Sequence, residues 1–483
     1  MKRTFTLIAV LFAATAAQAQ LSNISANNRL ELWVEDSLRA TSYLNQLDLI
    51  YIGEKWQIGA RLEMDEETWW DPERTTDIVR RYAEYQDESF GLRGGTFYTT
   101  FGRGLTLRAM EDEDVRVDRD IDGVWGSVTY KNLDAQALVG RMRNDRNSGR
   151  PNLLSGLDAD YRLTPCLTLG GSYVRRDAES LPDDEELEQL GRPATEEAAG
   201  GRLQLTKGIL DLYVEGAQRF RRGNDDVRGG WTGTTADDGH AWYGSLTLGV
   251  SGYSLFLEGK DYQDYDVPYS TLPPVNVAGQ PINNGLDEQG FAAVLAGSPS
   301  ADLTFELSGS YAEAEKELGE RSATSGTVRK DWWGKGSLKL GGEWTEEVEL
   351  ESHTLREYAG PTFDASLYVS EESSLSLHSK ILSWKNHYRG QELDEYTEVT
   401  ADLTLALGPN RAFTFSVLKA SEEIGEYDNE DVWLSGTLNL MFGYDRELMI
   451  KVGDERGGIV CSSGVCVYEP PFSGVRVEFI SRF

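Results

Sequence analysis

One stretch of this 483-residue chain concentrates the groups that could do chemistry. From Phe97 to Trp125 it reads F-Y-T-T-F-G-R-G-L-T-L-R-A-M-E-D-E-D-V-R-V-D-R-D-I-D-G-V-W. Within one connection, Arg103, Arg108, Arg116 and Arg119 are set against Glu111, Asp112, Glu113, Asp114, Asp118, Asp120 and Asp122. Gly102 and Gly104 flank Arg103 and would let the backbone turn sharply, as a hinge, without a side-chain penalty. If the segment folds into a pore, it becomes a constriction that sorts solutes by size and dipole. If it stays outside, it is a charged external loop. A third reading fails: Asp118, Asp120, Asp122 and Gly123 match the start of a calcium loop, but Thr129 stands where a bidentate Glu is required.

Elsewhere the reactive residue types are sparse. The four histidines, His240, His353, His378 and His387, form no H-E-x-x-H pair, so neither a metal site nor a cofactor is expected. No G-x-S-x-G elbow occurs. His240, just after Asp237-Asp238-Gly239, is the slender basis for a hydrolase reading, the least supported of those considered. Cys461 and Cys466 bracket C-S-S-G-V-C, a spacing that suits a local disulfide in an exported loop. Cys166 reads as an unpaired thiol.

The run F-G-R-G-L-T-L-R, followed by an acidic patch and D-x-D-G, resembles a stretch of uncharacterised outer-membrane barrels of the Bacteroidota type. The matching positions are Phe101, Gly102, Gly104, Leu105, Leu107, Arg108, Glu111, Asp118 and Gly123. The resemblance covers around 30 residues. It implies a β-barrel fold and carries no assigned activity.

The elements that would position this segment alternate with period two. Val399, Ala401, Leu403, Leu405 and Leu407 are separated by Thr400, Asp402 and Thr404, and the same pattern recurs through Leu303–Tyr311, Leu210–Glu215 and Val432–Phe442. Soluble sandwiches alternate too. The deciding features are strands of about ten residues, the length that a tilted hydrocarbon span demands, and connections of two kinds. Tight turns at Gly53–Lys55, Asp87–Ser89, Lys131–Asn132 and Gly408–Asn410 alternate with long polar loops such as Thr99–Asp120, Asp177–Ala199 and Gln263–Asp287. Short turns on one rim and long loops on the other are the asymmetry of outer-membrane barrels. The expectation is an all-β, single-chain antiparallel transmembrane barrel of about 24 strands, with 22 as the alternative count, short turns in the periplasm and long loops outside. Trp33, Trp56, Trp125, Trp242, Trp344 and Trp384 fall near strand ends, where a lipid-interface girdle is expected.

The two ends agree. Lys2 and Arg3 precede an apolar stretch and Ala17-Gln18-Ala19, which reads as a signal peptide over residues 1–19 with the barrel domain over 20–483. The last strand places Val475, Val477 and Phe479 on one face and Arg476 and Glu478 on the other, and ends on Phe483. That ending resembles the signal read by the barrel assembly machinery. The formal charge is -33. Removing Lys2 and Arg3 from the 47 basic residues leaves 45 against 80 acidic ones, or -35. A field of that sign excludes nucleic acid as a partner. Outer-membrane lipid and lipopolysaccharide are the expected surroundings.

The leading functional expectation is a pore, transporter or exporter for polar solutes or polymers, because Lys335, Lys339, Lys380, Glu258, Asp402 and Arg476 give the lumen both charge signs. The alternative is the membrane component of a secretion or surface-attachment complex. With strand pattern beginning near Asn28, no amino-terminal plug domain is expected. Barrels of 22 strands already need a plugged lumen, so either an inward loop or a partner must close a wall this wide. The segment from Thr99 to Asp120 is the candidate.

Overall fold

The computed structural model describes residues 23–35, 41–66, 75–112, 117–142, 152–178, 195–222, 239–265, 267, 269–276, 287–314, 319–349, 354–388, 391–421, 431–462, 465–469 and 471–483. Among these residues, twenty-four strands form one closed antiparallel sheet. Each pairs with its sequence neighbours, and the ring closes where Ile24–Glu35 meets the last strand, Phe472–Arg482, through Leu30↔Phe479 and Glu31↔Glu478. Phe483 completes the seam: its amide donates to the Ala26 carbonyl at 2.7 Å, and the Ala26 amide donates back at 2.9 Å. Full closure leaves no strand edge unpaired, which is what a hydrocarbon environment requires of a sheet.

The period-two pattern sorts side chains to the two faces of this wall. Leu49, Ile58, Val124, Leu157, Leu295, Leu307, Val328, Leu340, Leu403 and Phe415 are large apolar residues exposed on the outside. Their neighbours in sequence point inward and pair across strands, as in Arg29 with Glu478 at 2.7 Å and Arg202 with Asp158 at 2.6 Å. The expected girdle is half right. Trp56 and Trp242 are exposed on the outer face. Trp33 instead lies inside beneath Arg476, 4.4 Å from ring centroid to guanidinium. Trp125 donates to Gln136 at 3.0 Å, and Trp384 stacks on Tyr396 at 5.9 Å. Trp33 does lie near the end of its strand and Trp125 sits in the middle of Ile121–Tyr130; parity, not position along the strand, decided the face. Lys335 likewise belongs to the turn after Gly319–Trp332, its amide bonded to the Trp332 carbonyl at 2.8 Å, and not to the lumen.

The core sits in an unusual place for a barrel. Phe97, Phe101, Leu105, Leu107 and Ile121 are at most 1% exposed and pack with Leu138, Leu154 and Val174 from the inner face of the wall. Tyr213, Tyr243 and Tyr262 extend the same cluster. Burying each large apolar side chain is worth about 1.5–3 kcal/mol, so one arc of the lumen is packed solid.

Candidate pore and its inward segments

The chain leaves the wall at Phe97 and returns at Ile121, and these two residues are paired across neighbouring strands Phe90–Phe97 and Ile121–Tyr130. The described residues 98–112 and 117–120 therefore hang from adjacent points of the wall. Thr99–Phe101 folds back on Leu107–Ala109 as a small hairpin, and Glu111–Asp112 pairs with Val117–Asp118. The hairpin turns at Gly102, with φ at +56°, where a Cβ would lie 2.5 to 2.7 Å from the Glu215 carboxylate. Glycine avoids both this contact and the cost of a left-handed backbone. Glu215, itself 1% exposed, accepts the Arg103 amide at 2.8 Å and the Tyr213 hydroxyl at 2.5 Å. Gly104, with φ at +95°, bonds its amide to the Phe101 carbonyl at 2.9 Å.

The hairpin lies along a seat of small residues on the inner wall. A Cβ at Gly156 would meet the Phe101 ring at 2.8 Å, and one at Gly200 would meet Thr106 at 3.1 Å. Thr106 donates to Ser172 at 2.9 Å. On its other side the segment is pinned by charge. Glu111 bridges Arg61 and Arg80, the latter at 2.6 Å. Arg61 also holds Asp48 at 2.7 Å, and Tyr98 links Arg80 at 2.6 Å to Asp118 at 2.7 Å. Burial alone would push the Glu111 carboxyl up. The hydrogen bond and charge of Arg80, joined by those of Arg61, outweigh it and hold the group below the usual carboxylate range.

A second segment enters the lumen after the strand Tyr253–Gln263. Tyr265, Val267, Tyr269 and Leu272 are buried in the same core. The Tyr265 hydroxyl donates to the Leu105 carbonyl at 3.0 Å, and Ser270 donates to the Gly104 carbonyl. In return the Arg108 amide donates to the Tyr269 carbonyl at 3.3 Å. Arg119 reaches Thr271 at 2.7 Å and the Ser270 carbonyl at 3.3 Å. The two segments form one body. Sequence reading assigned Gln263–Asp287 to the polar external loops and missed this. The available signal was the short alternation Tyr265, Val267, Tyr269, broken by Pro268 and ended by Pro273-Pro274.

The named charges are thus sorted to two sides. Arg103 is exposed, its guanidinium 5.2 Å from the Tyr213 ring centroid, while Arg108 and Arg119 lie against the second segment. Glu111 and Asp118 lie toward Arg61 and Arg80, engaged in anchoring, and Asp112 is buried. Glu113, Asp114 and Arg116 fall outside the described residues. Cys461 and Cys466 stand opposite each other in the pair Gly458–Ser462 and Val465–Glu469; their side chains also lie outside the description. His240 pairs with Gln218 and Gln263 on the outward face, and Asp237 and Asp238 are not among the described residues. Among those that are, no group of three His, Cys, Asp or Glu is placed to hold a metal.

The opposite arc, from Leu303–Ala314 round to Arg446–Glu455, contributes no residue to this core among the described residues. Its inner face carries Lys339, the pair Lys380–Glu343 at 2.6 Å, and His378 against Asp364 at 2.5 Å, among serines and threonines. The cross-section is half packed and half polar.

A family model described as a family of unknown function (DUF6029) matches residues 2–283. No curated protein matches the chain. Among solved structures, a P pilus tip assembly intermediate of E. coli, PapC-PapD-PapK-PapG, is similar over 96% of this chain and 61% of that one, at 11% identity and a TM-score of 0.55. The siderophore receptor PirA of Pseudomonas aeruginosa is similar over 95% of this chain and 80% of that one, at 8% identity and a TM-score of 0.49. OccK11 (OpdR) of the same organism covers 68% and 91%, at 14% identity and a TM-score of 0.40. Identities this low speak for the barrel fold alone.

Proposed function

We propose, from the premise that this chain belongs to the DUF6029 family of unknown function, that it is an outer-membrane pore for polar solutes, narrowed from inside by its own chain. The observation that carries this reading is the divided lumen: the described residues of segments 98–120 and 264–276 close one arc, and the other arc keeps a polar wall. Water and small polar solutes can pass along such a wall, whereas a lipid cannot. Both inward segments lie within the residues that the family model matches. Phe483, in the closing seam, is the terminus that the assembly machinery would read, and lipid with lipopolysaccharide surrounds the outer face.

The test is reconstitution into planar bilayers. Stepwise conductance is expected, and excising residues 99–120 should raise the single-channel value. Where excision disturbs folding, the double substitution Arg61→Ala with Arg80→Ala releases the pin and leaves the strands intact. A folded barrel that never conducts would remove the pore reading. Width favours a second reading, the barrel component of a secretion or surface-attachment complex, since 24 strands enclose more than a small solute needs. A stoichiometric partner on purification, with silence in bilayers, would select it.

A further inference from the structure

The polar arc contains a charge arrangement that sheet stability does not explain. Arg329, in Gly319–Trp332, and Lys339, in Gly336–Glu349, stand directly opposite each other in register. Both point into the lumen, next in sequence to Val328 and Leu340 on the outer face. Like charges directly opposed weaken a strand pair. Arg329 is drawn along its own strand to Asp331 at 3.0 Å. Lys339 has Asp364 as its other cross-strand neighbour, but Asp364 is taken by His378 at 2.5 Å. Lys339 is left without an ion pair among the described residues. One strand away, Glu306 sits diagonal to Arg329, because Thr304 pairs with Arg329 and Glu306 with Thr327. Glu306 is exposed and also unpaired among the described residues. A cavity of about 390 Å³ lies over these groups, lined further by Ser254, Ser298, Thr304 and Thr327.

Two cations side by side, a carboxylate one diagonal away and hydroxyls between them match a ligand with an acid at one end and a donor close by. We propose that this pocket is a solute subsite for small carboxylates bearing an adjacent amino or hydroxyl group, the chemistry of amino acids and hydroxy acids. The ligand carboxylate lies between Arg329 and Lys339 and relieves their opposition. Its donor reaches Glu306. Consistency with the fold is broken at this point of the wall, as is expected where a site has been built in.

This inference rests on the pore reading for its biological sense but not for its test. Binding to the full chain in detergent micelles is measured calorimetrically with three matched probes that differ only at the second carbon: L-alanine, L-lactate and propionate. Alanine and lactate should bind about tenfold more tightly than propionate, the value of one charge-assisted hydrogen bond. Lys339→Gln should weaken all three by about tenfold. Glu306→Gln should leave propionate unchanged and abolish the advantage of alanine. Equal binding of all probes, or variants that bind alanine like the parent, would overturn the subsite. Retained circular dichroism and heat-modifiable gel mobility separate loss of binding from loss of fold. A barrel that binds but stays silent in bilayers refutes the pore alone; one that conducts and binds none of the probes refutes the subsite alone.

Discussion

At the scale of single residues, Glu111 is the group on which the inward body depends most directly. Two wall arginines hold it at once, and removing a charged partner from such a half-buried cluster costs about 1–3 kcal/mol. Its carboxyl is held below the usual range. A depressed carboxyl stabilises the docked state above its unfolded pKa of about 4.3, and that contribution is lost as pH falls through the folded value. Conductance measured between pH 7 and pH 3 should therefore stay flat to about pH 4 and then rise. Glu111→Gln should show raised conductance already at neutral pH and lose the acid step. An unchanged acid step in that variant would assign it to other carboxylates. Sequence made Gly102 legible as a hinge, since a positive φ leaves few alternatives. It could not show that Glu215, 112 residues from Arg103, fixes where the hinge docks, because only the barrel brings them together.

At the scale of elements, the two inward segments hold each other through backbone carbonyls of Gly104, Leu105 and Tyr269. Neither has more than fragments of regular structure, so each supplies what the other lacks. Tyr265→Phe combined with Ser270→Ala removes two side-chain donors and keeps the apolar packing. The expected outcome is a barrel that melts as before but shows faster proteolysis and hydrogen exchange within residues 264–276 and 99–112, with noisier conductance. Unchanged protection in both stretches would mean that packing alone binds them. The wall strands were readable because a sheet with one apolar and one polar face imposes a period of two. The second segment was not, because three prolines and a mixed composition erase any period and leave burial to be set by what lies across the lumen. The tryptophans show the same limit: Trp33 is inward because Glu31 and Arg476 share its face, a fact of parity that closeness to a strand end does not carry.

At the scale of the whole molecule, the ring of 24 strands depends on a seam that joins the two ends of the described chain. The last strand supplies one side of it, and Phe483 exchanges both backbone bonds with Ala26. Deleting Ser481 to Phe483 should cut the yield of folded barrel in membranes at least severalfold while leaving total expression unchanged; equal yield would show that the seam tolerates a shorter strand. The closed antiparallel fold and its terminal closure were both legible, since they follow from strand length, turn alternation and the amphipathic last strand. The divided lumen has a mechanical corollary. Along the packed arc, the wall is backed by the buried core. Along the other, the wall is a single sheet thick. A shell stiffened on one side and bare on the other does not breathe evenly: a load on the wall flexes the unsupported arc first, so the outline of the barrel can change while the inward body stays fixed.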